Sequence, residues 1–334
     1  MTTSDSPTTT AVPDHRTLLA VMRLAVRAPS VHNTQPWRWR FDGARLHLYS
    51  DPDRVLAAAD PHGRQRTISC GAALHHARTA FAARGWHTDT VRLPDPAQPD
   101  HLAVIDFRPW PDPPPGVLTR AEAIERRRTD RLPMLAPRGW SGEFVSGLRR
   151  LANPHDIEFD VLGDDARPRL AAVSEHADAA RHDDMMYQHE LQWWTGNSEP
   201  PEGIPTDALV SHAEQSRVDV GRAFPAAQHS ARRADLTDAA RLAVFSTEED
   251  APPRWLRTGE ALSAVLLEAT AAGLATCPVT HITELPAGRR TVATLLPHET
   301  VPQVVLRIGT APEGEQRPPT PRRPLAEVFE VRSS

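Results

Sequence analysis

Four short segments concentrate groups able to hold an anion or a flat polar ring. Glu125-Arg126-Arg127-Arg128-Thr129-Asp130-Arg131 packs four arginines and a hydroxyl into one short stretch. Like charges this dense repel unless an anion neutralises them, and guanidinium forks plus a hydroxyl suit phosphate. The same stretch also reads as a solvated helix end, with cations at the negative dipole terminus. Thr320-Pro321-Arg322-Arg323-Pro324 offers two more arginines on a proline-stiffened segment, either reaching back to a shared anion or forming a basic tail. Ala28-Pro29-Ser30-Val31-His32-Asn33-Thr34-Gln35-Pro36-Trp37 lines up hydroxyl and amide groups before an aromatic strand. That mixture of donors and acceptors beside an apolar wall suits a flat heteroaromatic ligand; a helix C-cap and turn would use the same residues. Gly273-Leu-Ala-Thr-Cys-Pro-Val-Thr280-His281-Ile282 follows an apolar helix with a short loop. Its backbone N–H groups either face a ligand or belong to a plain connection.

The chain has 334 residues, and all 38 of its Lys+Arg cations are arginine, against 43 Asp+Glu and a net charge of −5. The absence of lysine excludes Schiff-base chemistry and the lysine-bearing phosphate loop; a GC-rich coding sequence accounts for the bias. The mildly acidic balance argues against nucleic acid as a partner. No apolar run approaches a membrane-spanning length. Residues 1–13 are polar, lack the apolar core of a secretory signal and read as a disordered tail. Cys70 and Cys277 stand alone without a C-x-x-C, so neither a disulfide framework nor a cysteine zinc site is expected, and the cytoplasm is the expected compartment. The 16 histidines are dispersed and show no H-E-x-x-H spacing, so no metal site is expected.

The elements that must position these groups alternate between helix and strand. Helical periodicity runs over 15–28 until Pro29, with Leu18, Leu19, Met22, Ala25 and Val26 on one face. Alternation around Asp42-Gly43 predicts a hairpin over 37–50. An Ala-rich helix is expected over 66–84, closed by Gly85, then strands over 88–93 and 102–108. Pro-rich residues 109–115 mark a boundary. Beyond it, helices are expected over 118–128 (with a Thr119/Glu122 capping box), 140–152, 166–182 and 257–273, and strands over 156–162, 242–247 and 301–309. The order fits helices packed on a sheet.

Together the four segments resemble the nitroreductase superfamily of FMN-binding flavoproteins, over nearly the whole chain after the tail. A-P-S-V-H-N-T-Q-P-W is similar to the family's P-S-x-x-N-x-Q-P-W element along the flavin. R-R-T-D-R at 127–131 resembles its R-R-S-x-R phosphate element, with Thr129 for serine. Residues 259–278 resemble its long helix and flavin-facing loop, and P-Q-V-V-L-R-I-G followed by T-P-R-R-P-L its last core strand and C-terminal arm. Here the R-R-T-D-R element follows the P-S-x-x-N element instead of preceding it, and each occurs once. The order resembles two family halves fused in one chain, as in the Acg-like pseudo-dimers of actinobacteria.

The resemblance implies an α+β nitroreductase-like fold with antiparallel-rich sheets flanked by helices, and halves at 14–115 and 116–334. It implies a lid at 186–210 carrying Trp193, Trp194, Gly196, Gly203 and Pro205, an arm at 311–334, and one FMN per chain. The implied FMN-binding residues are Ala28, Pro29, Ser30, Val31, His32, Asn33, Gln35, Arg127, Arg128, Thr129, Arg131, Thr280, His281, Arg322 and Arg323. Arg127, Arg131 and Arg323 are expected at the phosphate, and the backbone of Thr280 and His281 near the reactive nitrogen, where relatives carry Glu-Gly. The implied activity is an NAD(P)H-dependent oxidoreductase passing electrons to a small molecule, with no catalytic side chain assigned and a monomer acting as its own dimer. A flavin-sequestering protein with little turnover is the alternative.

Overall fold

The computed structural model describes residues 11–195, 202–225, 230–315 and 319–332. Most of the expected tail lies outside the described residues, as does Gly196 of the expected lid. Val12 packs on the core and Pro13 is buried, so these two residues of the segment read as tail belong to the folded body.

Asp14 caps the first helix, α1 (His15–Ala25), accepting from the Thr17 N–H at 2.7 Å. Its buried face is Leu18, Val21, Met22 and Ala25. The expected hairpin forms: β1 (Trp37–Phe41) and β2 (Leu46–Ser50) pair antiparallel around Asp42, whose carboxylate accepts the Ala44 and Arg45 N–H groups. Helix α2 (Arg64–Ala82) follows, then β3 (Trp86–Arg92) and β4 (His101–Pro109).

The second part opens with α3 (Pro115–Arg126) and α4 (Gly142–Ala152). The expected capping box at Thr119 is absent. Proline at the first turn starts α3 earlier, and the Thr119 hydroxyl donates back to the Pro115 carbonyl. Strand β5 (Glu158–Val161) leads to α5 (Arg167–His182), α6 (Met185–Trp194) and the single turn α7 (His212–Gln215). Then come β6 (Arg241–Thr247) and the long α8 (Pro252–Ala271), ended near Gly273 at φ 77°. The stretch expected as a loop after Gly273 contains a strand, β7 (Ala275–Val279). It is a sheet edge, where Pro278 costs no ladder bond. Two short helices, α9 (His281–Glu284) and α10 (Pro286–Ala293), precede β8 (Val301–Gly309). The arm ends in α11 (Leu325–Val328) and β9 (Phe329–Val331).

Two sheets result, with strand orders β3-β4-β2-β1-β9 and β5-β6-β8-β7. All pairs are antiparallel except β9, which joins β1 in parallel and sends the arm back to the first sheet. Between the sheets α2 crosses α8 at Gly71 and Gly259, where a Cβ on Gly71 would lie 2.0 Å from the Leu256 carbonyl oxygen. Backbones meet this closely only where side chains are absent. No described helix is long and apolar enough to cross a membrane.

Candidate functional site

The 28–37 segment leaves α1 and turns under the first sheet through three left-handed residues, His32 (φ 47°), Asn33 (φ 57°) and Gln35 (φ 51°). Such conformations cost about 1–3 kcal/mol each and persist only where the surroundings enforce them. Two hydroxyls do so. Ser30 Oγ accepts from the Gln35 N–H at 3.0 Å, and Ser69 Oγ of α2 accepts from the Val31 N–H at 3.1 Å.

The loop faces a cavity of about 910 Å³, part of it open to solvent. Pro29, Ser30, Val31 and His32 form one wall. Ile68, Ser69 and Ala72 of α2 with Leu262 of α8 form the floor, and Cys277 to Thr280 form the opposite wall. Thr129 and Arg131 enter because the 127–131 segment runs along the β7 edge, with the Asp130 N–H donating to the Thr276 carbonyl at 2.8 Å. His32 Nε2 and Gln65 Oε1 are buried at this site without a hydrogen-bond partner. An orphaned polar atom beside an apolar slot marks a place for a ligand edge.

Beside the cavity lies a group of arginines without counter-charge. Arg127 is only 5% exposed, and its Nε and Nη1 atoms have no partner. Arg322 donates to the carbonyls of Val26, Arg27 and Ala28. Arg27 and Arg128 donate to the Glu125 carbonyl. Among the described residues none of these four makes an ion pair. Burial and the neighbouring guanidinium groups push Arg127 down to about 10 and Arg322 down to about 9. Cations so disfavoured call for an anion, and a phosphate accepts from several of them at once.

Several expected residues take other places. Arg323 is not in this group: it pairs with Asp51 at 3.2 Å and approaches Glu327 at 3.5 Å, while its backbone N–H donates to Gln35 Oε1. Arg322, its neighbour in sequence, is the one that lies in the group. Asn33 turns away from the cavity and joins two distant segments, donating to the carbonyls of Gly203 at 2.8 Å and Pro321 at 3.2 Å. Arg128 lines a neighbouring depression. The His281 side chain is buried against Ser174 Oγ at 2.9 Å and held neutral by burial.

The cover differs in extent from the expected lid. Trp194 packs with Leu56, Ala59, Tyr187 and Leu191, and Trp193 is exposed. Among the described residues of 186–210, Ile204 alone lines the cavity; Gln215, Gly221, Arg222 and Phe224 line it beyond that range. Phe224 lies edge-on to His32 at 5.9 Å and under the Arg131 guanidinium at 5.2 Å. Arg222 is buried and bonded to Glu284 and the Tyr187 hydroxyl. Sequence reasoning missed Arg222, Phe224 and Glu284. They sit in irregular or single-turn segments with no periodicity, where a lone arginine beside an aromatic was the only signal.

Comparison with known proteins places this architecture. A protein named "Putative NAD(P)H nitroreductase acg" from Mycobacterium tuberculosis is 48% identical over 316 residues, spanning 94% of this chain and 95% of that one. The chain belongs to the nitroreductase superfamily. A second relative in that organism, "Putative NAD(P)H nitroreductase Rv3131", is 39% identical over 326 residues, 96% of this chain and 93% of that one. Among solved structures, the FMN-dependent nitroreductase NfnB from Mycobacterium smegmatis in complex with NADPH is 17% identical with a TM-score of 0.38, covering 65% of this chain and 98% of that one. No family model matches this nitroreductase-superfamily chain.

Proposed function

We propose that this chain is an FMN-dependent NAD(P)H oxidoreductase of the nitroreductase type. The observation that carries the reading is the buried, uncompensated pair Arg127 and Arg322 beside a narrow apolar cavity. The residues fit FMN. Arg127 and Arg322, with Arg27 and Arg128 beside them, would hold the phosphate. The Thr129 hydroxyl would meet the sugar-like chain, and the ring system would lie between Pro29–His32 and Pro278–Thr280 over Ser69 and Ala72. When bound, FMN supplies two-electron transfer between a nicotinamide and a second substrate.

The chain's own work is binding, orientation and exclusion of water. Arg131 and the backbone of Thr280 and His281 present donors at the ring edge. Phe224 and Arg222 close the open side, and Asn33 ties that cover to the arm. We read 14–115 and 116–334 as two family halves, with 186–224 as the cover. Its partners are NAD(P)H and a small-molecule acceptor, and the protein works in the cytoplasm as a monomer that is its own dimer.

The test is the visible spectrum of the purified protein under anaerobic NADPH and, separately, NADH. A yellow protein whose flavin band bleaches on mixing is expected. A colourless protein that takes up no added FMN overturns the assignment. A flavin band that only dithionite bleaches makes the protein a flavin store instead.

A further inference from the structure

The side of α2 that floors the cavity runs on past it. Gln65, Ile68, Ser69 and Ala72 line the cavity, spaced three and four residues apart so that they share one side of the helix. The next residue on that stripe, four beyond Ala72, is His76. It is fully buried. Its Nδ1 lies 3.1 Å from the Ala72 carbonyl and 2.8 Å from Ser263 Oγ of α8. Its Nε2 is buried without a hydrogen-bond partner. One nitrogen is thus anchored at the helix crossing, and the other is not.

The charges that act on His76 are Arg127, Arg322 and Arg27, with no carboxylate among them. Burial and these cations keep the imidazole neutral. On its other side Ser263 Oγ also meets His75 Nδ1 at 2.8 Å, and His75 too is held neutral by burial. Arg27 Nε and the Nε and Nη1 atoms of Arg127 are, like His76 Nε2, buried without a partner. The Ala72 carbonyl can only accept, so the neutral ring keeps its proton on Nδ1 and carries a lone pair at Nε2. A lone pair does not bond a phosphate oxygen, whereas an Nε2–H does. An anion among the arginines offsets the cations that repel a second proton and supplies its acceptor, so both causes then favour the imidazolium.

We propose that His76 is a phosphate ligand of the cofactor site and binds as an imidazolium, so that FMN carries one proton into the protein. The proposal rests on the FMN reading above. The proton comes from solvent and adds to the Nε2 lone pair, which then donates to a phosphate oxygen; no other bond is made or broken. Linkage fixes the sign: a ligand that binds together with a proton binds more weakly as pH rises. A phosphate held by arginine alone behaves in the opposite way, because its second ionisation, near pH about 6, strengthens binding as pH rises.

The test is calorimetric titration of flavin-free protein with FMN at about pH 7.5 in Pipes and in Tris, whose different ionisation heats reveal proton uptake. Riboflavin, which lacks the phosphate, is the control ligand. Wild type is expected to take up roughly one proton with FMN and none with riboflavin. His76→Gln puts an amide donor near the Nε2 position and cannot titrate, so it should bind FMN without proton uptake. His76→Asn keeps a partner for Ser263 but has no group at the Nε2 position. Its affinity for FMN relative to riboflavin should fall about tenfold or more, the scale of a bond to a charged group. FMN binding by wild type without proton uptake, uptake retained in His76→Gln, or an unchanged FMN preference in folded His76→Asn overturns the proposal and leaves the FMN reading standing. Wild type that binds neither flavin overturns the FMN reading and this proposal with it. Should one variant fail to fold, the other decides.

Discussion

The guanidinium groups of Arg127 and Arg322 converge on one oxygen, the backbone carbonyl of Arg27, at 3.4 Å and 3.0 Å. Arg322 also donates to the Val26 and Ala28 carbonyls, but Arg127 Nε and Nη1 have no partner, and neutral carbonyls supply no counter-charge to two buried cations. Arg127→Ala should weaken FMN binding by about ten- to a hundredfold, the range for losing a bond to a charged group. The same change should raise the melting temperature of the flavin-free protein. Flavin retained through gel filtration and thermal melts of both forms check it; a variant with wild-type flavin content contradicts the assignment.

Asp178 gives a pH signature. Burial raises its carboxyl to about 6 from the ordinary value of 3.8, although it accepts the Ala223 N–H at 3.0 Å. Between those values the folded state holds a proton that the unfolded state has released, so stability falls as pH rises through the window. Asp178→Asn should remove that slope and leave the protein more stable at pH 7 than wild type. Urea unfolding at several points between pH 4 and 7 is the measurement.

Arg222 and Glu284 are both buried and paired, with Gln65 Nε2 donating to the same carboxylate at 2.8 Å. Removing one charge leaves the other stranded, so Glu284→Leu should cost about 3–5 kcal/mol. Adding Arg222→Met should recover most of it. A double-mutant cycle by chemical denaturation tests the pair, and additive losses would show that the two groups act independently.

Gly71→Ala should be among the most damaging small changes in the chain. Its Cβ would meet the Leu256 carbonyl oxygen at 2.0 Å, a backbone atom with no room to yield. Overpacking of this kind costs about 1–3 kcal/mol or more. Circular-dichroism melts should show the loss, whereas Gly139→Ala, with nothing within 4 Å of its Cβ but φ at 68°, should cost only about 1 kcal/mol of backbone strain.

Much of this was legible in the residues. The Asp42-Gly43 hairpin and the helix endings before Pro29, Gly85 and Gly273 follow local rules, and local rules decided them. So did the clustering of Arg127, Thr129 and Arg131, because a short segment moves as a unit. What failed was direction. Arg322 and Arg323 are adjacent and chemically identical, yet one faces the arginine group and the other Asp51; only the path of the arm onto β1 separates them. The residues before Asn33 line the cavity, as the sequence leads one to expect of Asn33 too, but its left-handed backbone aims it at Gly203 and Pro321. Arg222 and Phe224 reach the cavity through tertiary packing, which leaves no periodic trace. The Thr119 box lost to a proline whose fixed φ starts a helix more firmly than a side-chain cap.

The return of the arm to β1 has a consequence for how the molecule comes into being. The bond from Arg322 to the Val26 carbonyl joins positions 296 residues apart, and Arg323 to Gln35 spans 288. Contacts this distant close the longest loops in the chain, and that closure costs entropy before any bond repays it. A ligand that neutralised Arg322 would act as a clasp between the N-terminal and C-terminal parts of the chain. Under the proposed function, free cofactor would stabilise the closed arm by mass action, more strongly the further its concentration exceeds the dissociation constant.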